Sequence, residues 1–182
     1  MPKNASNNVR IIGGKLRRHR ITFPSAMGLR PTPDRVRETL FNWLGQDLTG
    51  KKCLDLFAGS GALGFEAASR YAKQVVMVEM ATPAYRQLQY NQAQLQLKET
   101  VELHHQSALH YLAQNTTLFD IIFVDPPFAS DLLIKVLPAL SLHLAAGGVI
   151  YIEAPQPPIL PAGHWVKQGR AGEVHFGLAS LS

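Results

Sequence analysis

The sequence predicts an α/β fold with a mostly parallel sheet and helices on both of its faces. Three observations lead there. From Lys52 onwards, short apolar runs of strand length alternate with longer segments of helical periodicity. The links between them are short, as in repeated βα units. The first run, residues 52–57, passes directly into Gly59, Gly61 and Gly64, where absent side chains let the backbone turn tightly and a ligand approach the main chain.

Taken in order, residues 1–8 are expected to be disordered. Residues 9–12 and 19–23 are β-prone runs flanking Gly13-Gly14 and Lys15-Leu16-Arg17-Arg18, which suggests a hairpin or a pair of extended arms. Residues 24–30 read as a loop. Thr32 suits an N-cap and Pro33 the first helical position, and Val36, Leu40, Phe41, Trp43 and Leu44 share one helical face before Gly45 ends the segment. The sheet strands follow at 52–57, 74–79, 101–105, 120–124 and 148–153, with helices at 62–71, 83–97, 109–114 and 131–144 between them. Pro155, Pro157, Pro158 and Pro161 argue against another crossover helix. Residues 165–168 and 174–181 read as a terminal hairpin.

At 182 residues, 46% hydrophobic and 17% charged, the chain can bury one full core with an appendage. No apolar run reaches membrane-spanning length and the start is polar and basic, so a cytoplasmic protein is expected, with no membrane partner. Cys53 is the only cysteine, which excludes an internal disulfide and a thiolate zinc cluster. His104 and His105 are adjacent in an expected strand and point to opposite faces, so no metal is expected either.

Charge divides the chain. Nine of its 18 basic residues, and Asp34 alone among its 13 acids, fall within residues 1–37. Residues 1–45 are therefore read as a basic N-terminal extension, a hairpin and a helix, with the footprint of a nucleic-acid binder, in which Arg10, Lys15, Arg17, Arg18, Arg20, Arg30 and Arg35 are the candidate contacts. The competing reading is a solvated basic tail. Residues 46–182 form the ligand-binding domain.

Gly59-Ser60-Gly61-Ala62-Leu63-Gly64 matches the dinucleotide fingerprint GxGxxG, a weak signal alone. Glu79, ending the next strand, is placed to accept hydrogen bonds from the ribose of any adenosine ligand. Asp55, inside the first sheet strand, either orients the glycine loop or reaches, through water, the ammonium of a ligand such as S-adenosylmethionine. Its bland alternative is capping of the loop amides. Asp125-Pro126-Pro127-Phe128 follows directly on an apolar strand and should open into the same crevice. A carboxylate and a proline carbonyl can together hold both N–H groups of an exocyclic base amine, while an aromatic ring stacks on the base. The alternative is a plain Pro-Pro turn between strand and helix.

Several runs carry a resemblance across nearly the whole chain: 10–15 (Arg-Ile-Ile-Gly-Gly-Lys), 29–32 (Leu-Arg-Pro-Thr), 34–44, from Asp34 to Leu44, then 57–64, 125–128, and 170–174 near the C-terminus. The chain resembles the class I S-adenosylmethionine-dependent methyltransferases, and among them the bacterial 16S ribosomal RNA guanine-N2 methyltransferases of the RsmD type. The resemblance implies a Rossmann-like, seven-stranded, mostly parallel sheet with its last strand antiparallel, and an N-terminal extension that helps hold RNA. It also implies S-adenosylmethionine as cofactor, contacted by Asp55, Phe57, Ala58, Gly59, Gly61, Glu79, Met80, Ser107 and Ala108. Asp125, Pro126, Pro127 and Phe128 become the catalytic set, and ribosomal RNA, within a small-subunit particle, the partner of a monomeric enzyme. One departure stands out: the family usually has Asp-Ala where this chain has Ser107-Ala108, and a serine hydroxyl is a weaker, neutral acceptor for an adenine amine.

Two other functions are compatible with these residues. Asp-Pro-Pro-Phe would equally serve an adenine-N6 methyltransferase, although 182 residues leave no room for a separate DNA-recognition domain. A non-catalytic RNA-binding assembly factor on the same fold is the other, and Ser107 favours it slightly. A nicotinamide-linked reductase would leave Asp-Pro-Pro-Phe without a role.

Overall fold

The computed structural model describes residues 6–25 and 30–182. β1 (Ser6–Arg10) and β2 (Arg20–Pro24) pair antiparallel as a hairpin. Disorder expected up to residue 8 is thus overturned for Ser6 to Asn8, because Val9 pairs with Ile21 and both bury against the body of the protein with Ile11 and Phe23. The rest of that expectation, residues 1–5, and residues 26–29 of the expected loop lie outside the described residues.

α1 (Asp34–Leu44) buries Val36, Leu40 and Phe41 and ends at Gly45, whose φ of 95° suits glycine. Its start differs from expectation. Pro33, in extended conformation, occupies the N-cap position and no side chain caps the first turn. Thr32 is buried instead, and its carbonyl accepts from Arg37 Nε at 3.0 Å.

The main sheet comprises β3 (Lys52–Asp55), β4 (Gln74–Val78), β5 (Val101–His104), β6 (Phe119–Val124), β7 (Leu144–Ala154), β8 (His164–Ala171) and β9 (Val174–Ser180). Between them run α2 (Ala62–Ser69), α3 (Thr82–Gln94), α4 (Ala108–Gln114) and α5 (Leu132–Leu140). α5 stops short of residue 144 because Leu144 already pairs with Phe119 of β6, a 3₁₀ turn over Ser141–His143 making the link. Spatial order is β5-β4-β3-β6-β7-β9-β8. β9 lies antiparallel to both β7 and β8, so it alone runs against the other six.

Alternation along each strand divides the core. Cys53, Val75, Met77, Ile121, Phe123 and Tyr151 face the hairpin, α1, α2 and Leu88 of α3. Leu54, Val76, Ile122, Ile150 and Ile152 face α4 and α5. The first of these cores contains apolar residues from the N-terminal segment and from the sheet together.

Polar contacts bind that segment more closely. Glu66 of α2, wholly buried, accepts from the amides of Ile12 at 3.0 Å and Gly13 at 2.9 Å and pairs with Arg37 and Arg70. Ser69 accepts from Lys15 N at its carbonyl and from Leu16 N at its hydroxyl. Gly14 has φ 76°, and a Cβ there would fall 1.9 Å from the Ser69 carbonyl oxygen, so the approach requires glycine.

Candidate active site

β3 and β6 are sheet neighbours although β4 and β5 separate them in the chain. The connections therefore diverge between them, and the loops at their carboxyl ends flank a crevice.

The β3 loop is shaped by Gly59 and Gly61, with φ of 52° and 85°. A Cβ on Gly61 would lie 2.5 Å from the Phe65 ring. Asp55 Oδ2 accepts from Gly64 N at 3.0 Å and so holds the first turn of α2 against the strand. Burial, with Glu79 and Glu153 adding repulsion, pushes the Asp55 carboxyl up to about 7 against the opposing pull of the Gly64 amide. Glu79 bridges two loops: Oε2 accepts from Gly59 N at 2.8 Å and Oε1 from Ala81 N at 2.9 Å. Each oxygen keeps further acceptor capacity. Ala58 is buried, Phe57 half-buried and Met80 exposed beside Glu79.

Across the crevice floor, the two histidines part as their strand period requires. His105 stacks on Tyr85 of α3, with Nε2 3.1 Å from the Met80 carbonyl oxygen, whereas His104 meets Tyr111 of α4 edge-on. Ser107 is the N-cap of α4, its hydroxyl accepting from His110 N at 3.1 Å. One lone pair and the hydroxyl proton remain for a ligand, beside buried Ala108.

Asp125, half-buried, leaves the end of β6, followed by buried Pro126 and by Pro127 and Phe128 at the surface. Ser130 donates from N and Oγ to the Pro127 carbonyl. Among the described residues nothing donates to the carbonyl of Pro126, which leaves it as the acceptor beside Asp125. The Asp125 carboxyl is pushed well above the usual carboxylate range, first by burial, then by Glu153 and Asp55. The neighbours responsible were missed by sequence reasoning: Glu153 and Tyr151 sit at the end of β7, on the sheet face of Asp125, and the Tyr151 hydroxyl donates to Glu153 Oε1 at 2.6 Å. The available signal was the Tyr-Ile-Glu ending of the fifth strand, with two polar groups on one face.

The basic residues lie elsewhere. Arg10, Lys15, Arg17, Arg18, Arg20, Arg30 and Arg35 are all exposed. Arg10 pairs with Asp34 at 3.3 Å, and Arg20 donates to Asn8 at 3.0 Å, beside a groove of about 370 Å³ between the hairpin and the start of α1. Arg37, which adds to the same sequence charge, is buried against Glu66 and Asp34 and presents nothing to solvent. Among the described residues no cluster of three or more candidate metal ligands forms, and no helix is long and apolar enough to cross a membrane.

With β9 threaded antiparallel between β7 and β8, and an acid-lined crevice between the glycine loop and Asp-Pro-Pro-Phe, the molecule has the architecture of a class I methyltransferase. The chain belongs to the family described as Conserved hypothetical protein 95, which it matches over residues 9–179. Ribosomal RNA small subunit methyltransferase D of Escherichia coli (strain K12) is 41% identical over 181 residues, covering 96% of this chain and 91% of that one. The solved structure described as "Putative methyltransferase yhhF from Escherichia coli" superposes with a TM-score of 0.86 at 41% identity, covering 95% of this chain and 97% of that chain. A 16S rRNA N2 methyltransferase of T. thermophilus, solved with AdoMet and guanosine, superposes with a TM-score of 0.72 at 25% identity, covering 98% of this chain and 50% of that one.

The residues present fit S-adenosylmethionine. Glu79, partly exposed beside the glycine turn, has acceptor capacity left for a nucleoside ribose, half-buried Asp125 and buried Asp55 and Glu153 lie nearby, and the glycine turn leaves main chain open to the ligand.

Proposed function

We propose that the protein transfers a methyl group from S-adenosylmethionine to the exocyclic N2 amine of a guanine in small-subunit (16S) ribosomal RNA. The observation that carries this reading is the placement of Asp125-Pro126-Pro127-Phe128 across the switch point from the glycine loop, in a chain so similar to ribosomal RNA small subunit methyltransferase D.

S-adenosylmethionine, when bound, supplies a methyl group activated by its sulfonium. Gly59, Gly61, Phe57 and Ala58 would form the wall that holds the cofactor, Glu79 would accept from its ribose, and Met80, Ser107 and Ala108 would border its adenine. Asp55 holds the glycine loop in shape through Gly64, which supports the orienting role among those open to it. Asp125 and the Pro126 carbonyl accept the two N–H groups of the acceptor amine. That geometry localises the nitrogen lone pair and aims it at the methyl group. Phe128, 48% exposed at the rim, is free to stack on the base. Arg10, Lys15, Arg17, Arg18, Arg20, Arg30 and Arg35 hold RNA phosphates, in a monomer acting in the cytoplasm on a small-subunit particle.

The test is methylation of small ribosomal subunits that lack the modification, with labelled cofactor and mapping of the product base. Wild type should label a guanine at N2. Asp125→Ala should bind cofactor yet lose turnover, Asp125→Asn should retain part of it, and Phe128→Ala should weaken base stacking by roughly 1–3 kcal/mol. Label on an adenine would convert the reading to an N6 enzyme, and cofactor binding without transfer would favour the assembly-factor alternative.

A further inference from the structure

The chemistry above leaves Glu153 idle, although it is a buried carboxylate at the carboxyl end of β7. Val124 pairs with Ile152 in the parallel β6–β7 register, so Asp125 and Glu153 leave neighbouring strands side by side and on one sheet face. Burial, then the neighbouring Glu153, pushes the Asp125 carboxyl well above the usual carboxylate range. Two adjacent carboxylates with no cation between them do not both ionise readily, so the pair retains one proton.

The surroundings show where that proton rests. Tyr151, two residues before Glu153, donates its hydroxyl to Glu153 Oε1 at 2.6 Å. Among the described residues no comparable donor reaches Asp125, whose raised carboxyl is the one that keeps the proton. Asp55, at the end of β3, adds repulsion to Asp125 once it ionises, and Glu79, just past β4, acts on Asp55 in turn, while β9 places apolar Phe176 opposite Glu153 and His175 opposite Ala154. Among the described residues no lysine or arginine pairs with either carboxylate.

Building on the functional reading given above, we infer that Glu153 is a positioning residue for methyl transfer: through the shared proton it holds Asp125 with one oxygen facing the acceptor amine, and it couples cofactor binding to release of that proton. A cationic ligand beside the pair favours the doubly ionised form. The Asp125 O–H bond then breaks, its electron pair stays on the carboxylate, and the proton passes to buffer. The enzyme thereby presents a charged acceptor to the amine only when the cofactor is in place.

Titration calorimetry of S-adenosylmethionine into the protein at pH 7, in two buffers of different ionisation enthalpy, counts the protons released. Wild type should release close to one proton more per cofactor than Glu153→Gln. That variant should keep only the release that Asp55 supplies, since its amide donates to an Asp125 that is already ionised while its oxygen still accepts from Tyr151. On the RNA substrate, the acid limb of the kcat profile should move down by a pH unit or more in Glu153→Gln. It should move up in Tyr151→Phe, which keeps the ring but removes the hydroxyl that donates to Glu153. These opposite shifts separate positioning from mere packing, and Tyr151→Phe keeps the test open should Glu153→Gln fold poorly. Equal proton release by wild type and Glu153→Gln, or superimposable acid limbs in all three proteins, would overturn the inference. The calorimetry needs no RNA, so it decides the coupling even if the wild type methylated no RNA, an outcome that would sink the functional reading instead.

Discussion

The guanidinium of Arg37 meets the carboxylate of Glu66 at 3.2 Å with both side chains out of solvent, joining the helix that follows the basic hairpin to the helix that follows the glycine loop. The same carboxylate receives the Ile12 and Gly13 amides, so the basic N-terminal segment and the glycine loop share one anchor.

Glu66→Ala should therefore destabilise the fold by about 3–5 kcal/mol, because it strands two buried cations and two amides at once. Denaturant titration would show a lower midpoint. A change within about 0.5 kcal/mol, as for an ordinary surface site, would mean that solvent reaches Arg37 and Arg70.

Asp55 makes stability depend on pH in the free protein. Burial pushes its carboxyl up to about 7 in the fold, against an ordinary 3.8 in the unfolded chain. Between these two values the unfolded chain ionises while the fold stays protonated. The stabilising contribution is thus full below the unfolded value and lost as pH rises through about 7. Melting temperature should fall between pH 5 and pH 8, and Asp55→Asn, which keeps an acceptor for Gly64 N, should flatten that fall. A wild-type curve as flat as that of the variant would contradict the burial of this charge.

Glu79→Ala should weaken S-adenosylmethionine binding by about 1.5–3 kcal/mol, roughly 10- to 150-fold in Kd, through loss of charge-assisted acceptors. Because Glu79 also ties Gly59 to Ala81, the loop should become more mobile in the free protein, visible as faster amide exchange at Gly59. Unchanged affinity in calorimetry would reduce Glu79 to a loop tie.

Replacing Arg17, Arg18 and Arg20 together should weaken RNA binding and flatten its salt dependence, each lost phosphate contact lowering the slope by about 0.7–0.9. Affinity for free cofactor should stay the same, since these residues contact the hairpin and solvent rather than the crevice. A normal slope in the triple variant would locate the RNA surface elsewhere.

Much of this architecture was legible in one dimension. Alternating apolar runs and helical periods placed all five sheet strands from Lys52 to Glu153 and the helices between them to within a few residues, because burial on two sheet faces imprints a local pattern. Glycine at 59 and 61, and Asp-Pro-Pro-Phe at 125–128, were readable for the same reason: a turn or a rigid acceptor needs particular residues next to one another. What the sequence could not show is which distant groups meet. Arg37 counted as part of a basic tail until the packing of α1 on α2 turned its charge inward onto Glu66. Ser107 read as a neutral substitute for an acid until its hydroxyl proved to cap α4. Glu153 read as a strand end until the β6–β7 register set it against Asp125. Charge state and availability depend on low-dielectric surroundings assembled from separate strands, and only the tertiary structure, through register and burial, decides those.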